Sequence, residues 1–165
     1  MTQRQRYHPT DFGARQWARL LDFALARADR FECAIPYPFV AQELWTAPLF
    51  TAGLEPLREA LIDRHVSLLR GGQTRDQATQ YLSFELRPAV AEFIRSVRRL
   101  EGWSWSRRMP EDPSFLIDET LLLATDSVGG RITVYADPDE RQALQGAGIR
   151  LIEPLGVQAE PWPTP

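Results

Sequence analysis

The apolar positions of the chain repeat with helical spacing in three places. Thr10 followed by Asp11 is a plausible helix start, and the apolar residues beyond them share one side up to about Asp29. These residues are Phe12, Trp17, Leu20, Leu21, Ala24 and Ala28. A short helix is predicted over 54–62, and the clearest helix opens with a proline and spans 88–100. These three segments are the main predicted helices.

Alternation of apolar and polar residues predicts the strands. The first follows the sequence FECAIPYPF, and its Pro36 and Pro38 either stop it or confine it to a sheet edge. The predicted strands span 31–39, 65–70, 80–86, 114–118, 120–126, 131–137 and 149–155. A hairpin at 127–130 joins two of them, and the polar residues 71–80 are typical of a flexible segment. Short helical pieces are predicted at 40–44 and 138–146.

This order of elements predicts an α+β fold. Helices and strands alternate irregularly and end in a meander and a βαβ-like step. We expect one domain over residues 1–155, with a mixed or mostly antiparallel sheet and three main helices packed on one face. The residues before the first helix, including His8, are expected to form a polar arm. Residues 156–165 are rich in proline and predict a flexible tail.

The amino-acid composition excludes several kinds of catalytic and metal site. All 19 basic residues among the 165 are arginine, so the chain has no lysine for a Schiff base or a phosphate loop. Cys33 is the single cysteine, which excludes an intrachain disulfide and a multi-cysteine zinc site. The chain lacks an apolar run long enough for a signal or a membrane span. We therefore expect a cytoplasmic protein without a membrane partner.

Charge is distributed in blocks along the chain, although the net charge is only -3. Residues 64–110 hold nine arginines against four acids, whereas residues 111–165 hold three arginines against ten acids. The arginines near the end of the long helix suit phosphates or the carboxylates of a partner, because guanidinium offers a planar fork of donors. Pairing with the protein's own acids, or plain solvation, is the alternative.

The segment between the long helix and the meander is the predicted binding surface. If this segment is extended, its two tryptophans lie on the same side, beside arginines. This pattern suits a protein interface and also a platform for single-stranded nucleic acid. Packing of at least one tryptophan into the core is the alternative. The candidate binding residues are Arg95, Arg98, Arg99, Trp103, Trp105, Arg107, Arg108, Glu111 and Asp112.

No common catalytic signature is present in the sequence. GxSxG, GxGxxG and HExxH are all absent, and the carboxylates at 118 and 119 are typical of a turn between strands. The remaining catalytic candidates are His65, Cys33 and Asp112, since His65 and Cys33 fall on strands that are predicted to be neighbours. Neither a metal site nor a cofactor is predicted.

Several segments follow one another in a characteristic order within residues 14–130. They are ADRFECAIPYP, IDRHVSLL, YLSFEL with PAVAEFI, WSWSRRMPEDPSF and LLLATDS. In these segments the chain resembles a family of small, mostly uncharacterised bacterial proteins, some of which carry a stage III sporulation label. That family has a Ser-His-Glu motif where this chain has Thr125, Asp126 and Ser127. The resemblance therefore implies a compact cytoplasmic α+β domain and no particular reaction.

Together these features predict a non-catalytic domain that binds another protein, of the immunity, inhibitor or accessory-subunit kind. One alternative is a small hydrolase with a carboxylate and histidine site. Another is a nucleic-acid-binding module that uses residues 95–108, although the negative net charge disfavours nonspecific binding to nucleic acid. The sequence leaves open whether the chain forms a homodimer.

Overall fold

A computed structural model describes residues 4–36, 54–70 and 73–154, and within them eight strands form one open sheet. The strands are β1 (Gln5–Thr10), β2 (Arg30–Pro36), β3 (Leu61–Arg70), β4 (Gln73–Glu85), β5 (Glu111–Ile117), β6 (Thr120–Asp126), β7 (Arg131–Ala136) and β8 (Arg150–Ile152). Their order across the sheet is β3-β4-β2-β5-β6-β7-β1-β8, and every neighbouring pair is antiparallel. The helices are α1 (Ala14–Leu25), α2 (Pro88–Ser96) and α3 (Pro138–Gly146). The predicted α+β class is confirmed.

β1 replaces the polar arm that the sequence pattern predicts. It pairs with β7 through its first half and with β8 through its second half. Tyr7 is its single buried residue, so the strand shows little of the alternation that would reveal it in the sequence. The helix predicted from Thr10 to Asp29 exists, but it begins only after Gly13 and ends at Leu25.

β3 and β4 lie at one end of the sheet and are neighbours, as predicted. The helix predicted over 54–62 is wrong, because Glu55–Ala60 form a 3-10 helix and the next two residues already belong to β3. The segment expected to be flexible belongs to β4 from Gln73 onward. Few of its residues are apolar, and pairing with β3 at Gln73, Thr74 and Thr79, with a register shift between them, places the segment in the sheet.

β5, β6 and β7 form the predicted meander. β5 begins at Glu111, three residues before the predicted strand, so it includes the Glu-Asp-Pro sequence. Asp118 and Glu119 join β5 to β6 with φ angles of 46° and 64°. Two positive φ values in a two-residue loop are typical of a type I′ hairpin, whose twist matches that of the flanking strands. The predicted turn is confirmed.

α3 connects β7 to β8 and spans the predicted residues. The side chain of Asp137 accepts a hydrogen bond from the backbone N–H of Glu140 at 2.9 Å, and the Glu140 carboxylate accepts one from the Asp137 N–H at 3.0 Å. This reciprocal capping box fixes the start of α3. β7 and β8 are both antiparallel to β1, so they are parallel to each other. The βαβ-like step is therefore present, with β1 between its strands.

The core lies between the sheet and the three helices. Phe31 of β2 is at its centre, with ring centroids 5.6 Å from Trp103, 5.6 Å from Phe115 and 6.0 Å from Phe84. Buried residues of all three helices belong to the same cluster, so the helices cover one face of the sheet. The helical piece predicted at 40–44 and the tail at 156–165 lie outside the described residues.

Candidate binding groove

The chain between α2 and β5 turns sharply instead of running extended. α2 ends at Ser96, whose hydroxyl donates a hydrogen bond of 2.6 Å to a carbonyl oxygen in the preceding turn. The indole N–H of Trp17 donates to the carbonyl oxygen of Val97 at 3.1 Å and so ties the segment to α1. Two 3-10 helices, over 100–102 and 105–107, then lead towards β5.

These turns separate the two tryptophans of the segment. Trp103 is 0% exposed and belongs to the core, whereas Trp105 is half-buried. The ring of Trp103 lies 5.8 Å from that of Phe93, with an interplanar angle of 82°. The assignment of Trp103 to a binding surface is therefore wrong, because the segment folds back and places this side chain inside. Packing of one tryptophan in the core is the alternative that the structure shows.

A groove of about 920 Å³ opens between the end of α2 and the turns that follow it. We call it the arginine groove, and its lining residues are Phe93, Ser96, Val97, Arg98, Arg99, Glu101, Gly102, Arg107 and Met109. Close packing of the first turn on α2 depends on Gly102. A Cβ atom at this position would lie only 2.6 Å from Cγ1 of Val97, so any larger residue would displace the groove floor.

The groove combines an apolar floor with a cationic rim. Phe93, Val97 and Met109 are half-buried and pack against the core, and they form the floor. The arginines of the lining are exposed, and so is Glu101, the one acid in the lining. The described lining residues therefore carry a net charge of +2, in a chain whose total charge is -3.

The arginines of the groove do not form ion pairs with described acids. No carboxylate in residues 4–36, 54–70 or 73–154 lies within 4.0 Å of the guanidinium groups of Arg98, Arg99 or Arg107. The same holds for the neighbouring Arg108, which lies outside the lining. Arg95 reaches Asp22 only at 3.9 Å, with both side chains exposed. Among the described residues, the guanidinium groups of the rim are therefore exposed and not neutralised by a carboxylate.

The acids that follow the segment are engaged elsewhere in the fold. The carboxylate of Asp112 accepts hydrogen bonds from the backbone N–H of Ser127 at 2.7 Å and from its hydroxyl at 3.1 Å. Oε1 of Glu111 accepts one from the backbone N–H of Trp105 at 3.3 Å. Both acids are buried and neither lines the groove. Their assignment to the binding surface is wrong, because they fasten the start of β5 to its neighbours.

Of the three catalytic candidates, His65 lies apart from the other two, whereas Cys33 of β2 lies opposite the start of β5, near Asp112. Cys33 pairs with Leu82 across β2 and β4, whereas His65 pairs with Tyr81 across β3 and β4. Successive residues of a strand point to opposite faces, so Cys33 faces the core and His65 faces the other side of the sheet. His65 is exposed, stacks on the Tyr81 ring at 5.3 Å and lies 3.1 Å from the Asp63 carboxylate. The Cys–His pair considered from the sequence is therefore absent, and Asp112 is bound to Ser127.

The sequence pattern identifies the rim of the groove but not its floor. Phe93 and Val97 carry a helical signal that predicts full burial, and the structure leaves both half-buried at the end of α2. Met109 carries no periodic signal. Its place in the lining depends on the two 3-10 turns, which nothing in the alternation of residues indicates.

The chain matches no known protein family, no curated protein and no solved structure. In the described part of the chain, no helix is both long and apolar enough to cross a membrane. The same residues contain no cluster of three or more histidine, cysteine or carboxylate side chains that could hold a metal ion.

Proposed function

We propose that the chain is a non-catalytic binding domain, of the immunity, inhibitor or accessory-subunit kind, and that it binds another protein through the arginine groove. One observation carries the proposal: three arginines that form no ion pair with a described acid line a groove of about 920 Å³ together with three half-buried apolar residues. Arginine and methionine are enriched in the centres of protein interfaces, where a guanidinium makes paired hydrogen bonds to carboxylates.

A protein partner fits the groove better than a nucleic acid does. A single-strand platform stacks bases on exposed aromatic rings, and Trp103 is buried in the core. The acidic block after residue 110 and the net charge of -3 also weaken the long-range attraction of a polyanion. The hydrolase alternative has less support, because His65 and Cys33 occupy opposite faces of the sheet.

Photocrosslinking in the cells that make this protein tests the proposal. A photoreactive residue replaces Ser96, which lines the groove, and a control replaces Gln142, which is exposed on α3. After irradiation, the adducts are treated separately with nuclease and with protease, and the protein adducts are identified by mass spectrometry.

We expect a nuclease-resistant adduct with one protein at Ser96 and none at Gln142. An adduct with a second copy of the chain would make the partner a homodimer subunit. A nuclease-sensitive adduct at Ser96, or equal labelling at both positions, would contradict the proposal.

A further inference from the structure

The composition of the arginine groove restricts the kind of segment that fits into it. We propose that it binds an acidic peptide segment of the partner protein in which one bulky apolar side chain is flanked by carboxylates. This inference rests on the proposed function, because it assumes that the groove is the interface.

The floor requires an apolar side chain. Phe93, Val97 and Met109 are half-buried and are continuous with the core, so water is a poor occupant of the space above them. The ring of Phe93 packs against the buried ring of Trp103, with centroids 5.8 Å apart, so the core supports the floor from below. A groove of about 920 Å³ has room for one aromatic side chain and its adjoining backbone. Well-packed apolar pockets bind the central anchor residue of an interface.

The rim requires carboxylates on both sides of that anchor. Arg98 and Arg99 follow the end of α2, whereas Arg107 belongs to the second 3-10 helix. None of these three guanidinium groups forms an ion pair with an acid of the described residues. The N–H groups of a guanidinium lie in one plane, so a carboxylate can accept two parallel hydrogen bonds from it. Cations from two separate elements therefore favour acidic residues before and after the apolar anchor.

Glu101 restricts the charge pattern of a ligand that fits the groove. It is the one acid in the lining, and it repels a carboxylate that approaches its part of the groove. A ligand with charge at every position, such as a nucleic acid backbone, must pass this carboxylate. A peptide avoids it by placing an uncharged residue there, so the groove favours interrupted acidic charge over continuous charge.

Fluorescence anisotropy with labelled peptides tests this inference on the purified full chain. The test peptide has tryptophan between pairs of glutamates. Three probes are compared with it: a peptide with alanine in place of tryptophan, a peptide with glutamine in place of glutamate, and a single-stranded oligothymidine.

The protein variants separate the groove from general charge. Arg98→Gln/Arg107→Gln removes two groove cations, and the matched control Arg64→Gln/Arg150→Gln removes two exposed cations from the edge strands β3 and β8. Glu101→Gln removes the acid of the lining. Circular dichroism checks that each variant is folded.

We expect the glutamate–tryptophan peptide to bind at least about tenfold more tightly than either altered peptide. The groove variant should lose about tenfold or more of this affinity, and the edge variant should change it by about twofold at most. Glu101→Gln should tighten binding of the test peptide by about threefold.

Equal affinity for the three peptides, tighter binding of oligothymidine, or equal behaviour of the groove and edge variants would overturn the inference. Absence of any peptide binding would overturn it as well. The proposed function would survive each of these peptide results if Ser96 still captures a protein in cells, so the two failures are distinguishable.

Discussion

The ring of Phe93 meets the ring of Trp103 edge to face, with centroids 5.8 Å apart. Phe93 lines the arginine groove, whereas Trp103 is buried beside Phe31 in the core. The floor of the groove is thus an outward extension of the core. Substitutions in the core should therefore alter the groove, whereas substitutions of the exposed rim should leave the core intact.

Trp103 should tolerate phenylalanine far better than alanine. Its Nε1–H has no hydrogen-bond partner among the described residues, so Trp103→Phe removes a buried unpaired donor while keeping an aromatic ring. We expect Trp103→Ala to lower the free energy of unfolding by about 3–5 kcal/mol, and Trp103→Phe to lower it by less than about 2 kcal/mol. Urea unfolding measures both values, and similar losses for the two variants would contradict the packing described above.

Asp112 should be needed for stability and not for binding. It holds a left-handed backbone conformation at φ 54° while its carboxylate accepts two hydrogen bonds from Ser127. Asp112→Ala strains that backbone and leaves the Ser127 N–H unpaired, and should cost about 2–4 kcal/mol. Asp112→Asn keeps an acceptor oxygen and a residue that tolerates this conformation, so its cost should be clearly smaller. Equal losses in thermal unfolding of the two variants would show that the Ser127 contact contributes little.

The hairpin between β5 and β6 can be stabilised. Both of its loop residues have positive φ, which glutamate adopts at a cost and which Asn-Gly adopts readily. We expect Asp118→Asn/Glu119→Gly to raise the free energy of unfolding by about 1 kcal/mol. The exposed contact of Glu119 with Arg30, at 3.7 Å, is worth a few tenths of that.

Glu119→Gln is the control for the hairpin substitution, because it removes the charge and keeps the strained backbone. It should change stability by less than about 0.5 kcal/mol. If the glutamine and glycine variants were equally stable, the strain at this turn would have no measurable cost.

Stability at alkaline pH should report on Tyr135. Burial raises the pKa of this phenol above its ordinary value of 10.0, and the charge of Arg6 opposes the shift. The unfolded chain then releases the proton first, so stability is full below pH 10 and falls as pH rises towards the folded-state pKa. Because the chain has no lysine, no lysine side chain titrates in the same pH range as tyrosine. In urea unfolding as a function of pH, Tyr135→Phe should show a shallower decline than the wild type, and identical slopes would contradict the shift.

Much of the fold can be predicted from the sequence because many elements carry a periodic signal. α3, β6 and β7 have clear boundaries in the pattern of apolar residues and turns, whereas β5 begins three residues before its predicted start. β1 has no clear boundaries in this pattern, because Tyr7 is its one buried side chain. Backbone pairing with β7 and β8 keeps the strand extended. The extension of β4 through polar residues also lacks a signal in the sequence, because it depends on pairing with β3 at Gln73 and Thr74.

Only part of the candidate site can be predicted from the sequence. The exposed positions of Arg98 and Arg99 follow from helical periodicity, and that of Arg107 is expected from its charge. Which nearby residues join them depends on turns that fold Trp103 inward and bring Met109 beside Phe93. Short-range patterns do not encode such turns, so the sequence alone groups Glu111 and Asp112 with the arginines, whereas both are buried in β5.

The yield of the Ser96 protein adduct in cells tests the central claim most directly. It is measured for the wild-type chain, for Arg98→Gln/Arg107→Gln and for the charge-matched edge variant Arg64→Gln/Arg150→Gln. If the groove holds the partner through its arginines, the yield falls about tenfold or more in the groove variant and changes by about twofold at most in the edge variant. Equal yields from the groove and edge variants would contradict the claim.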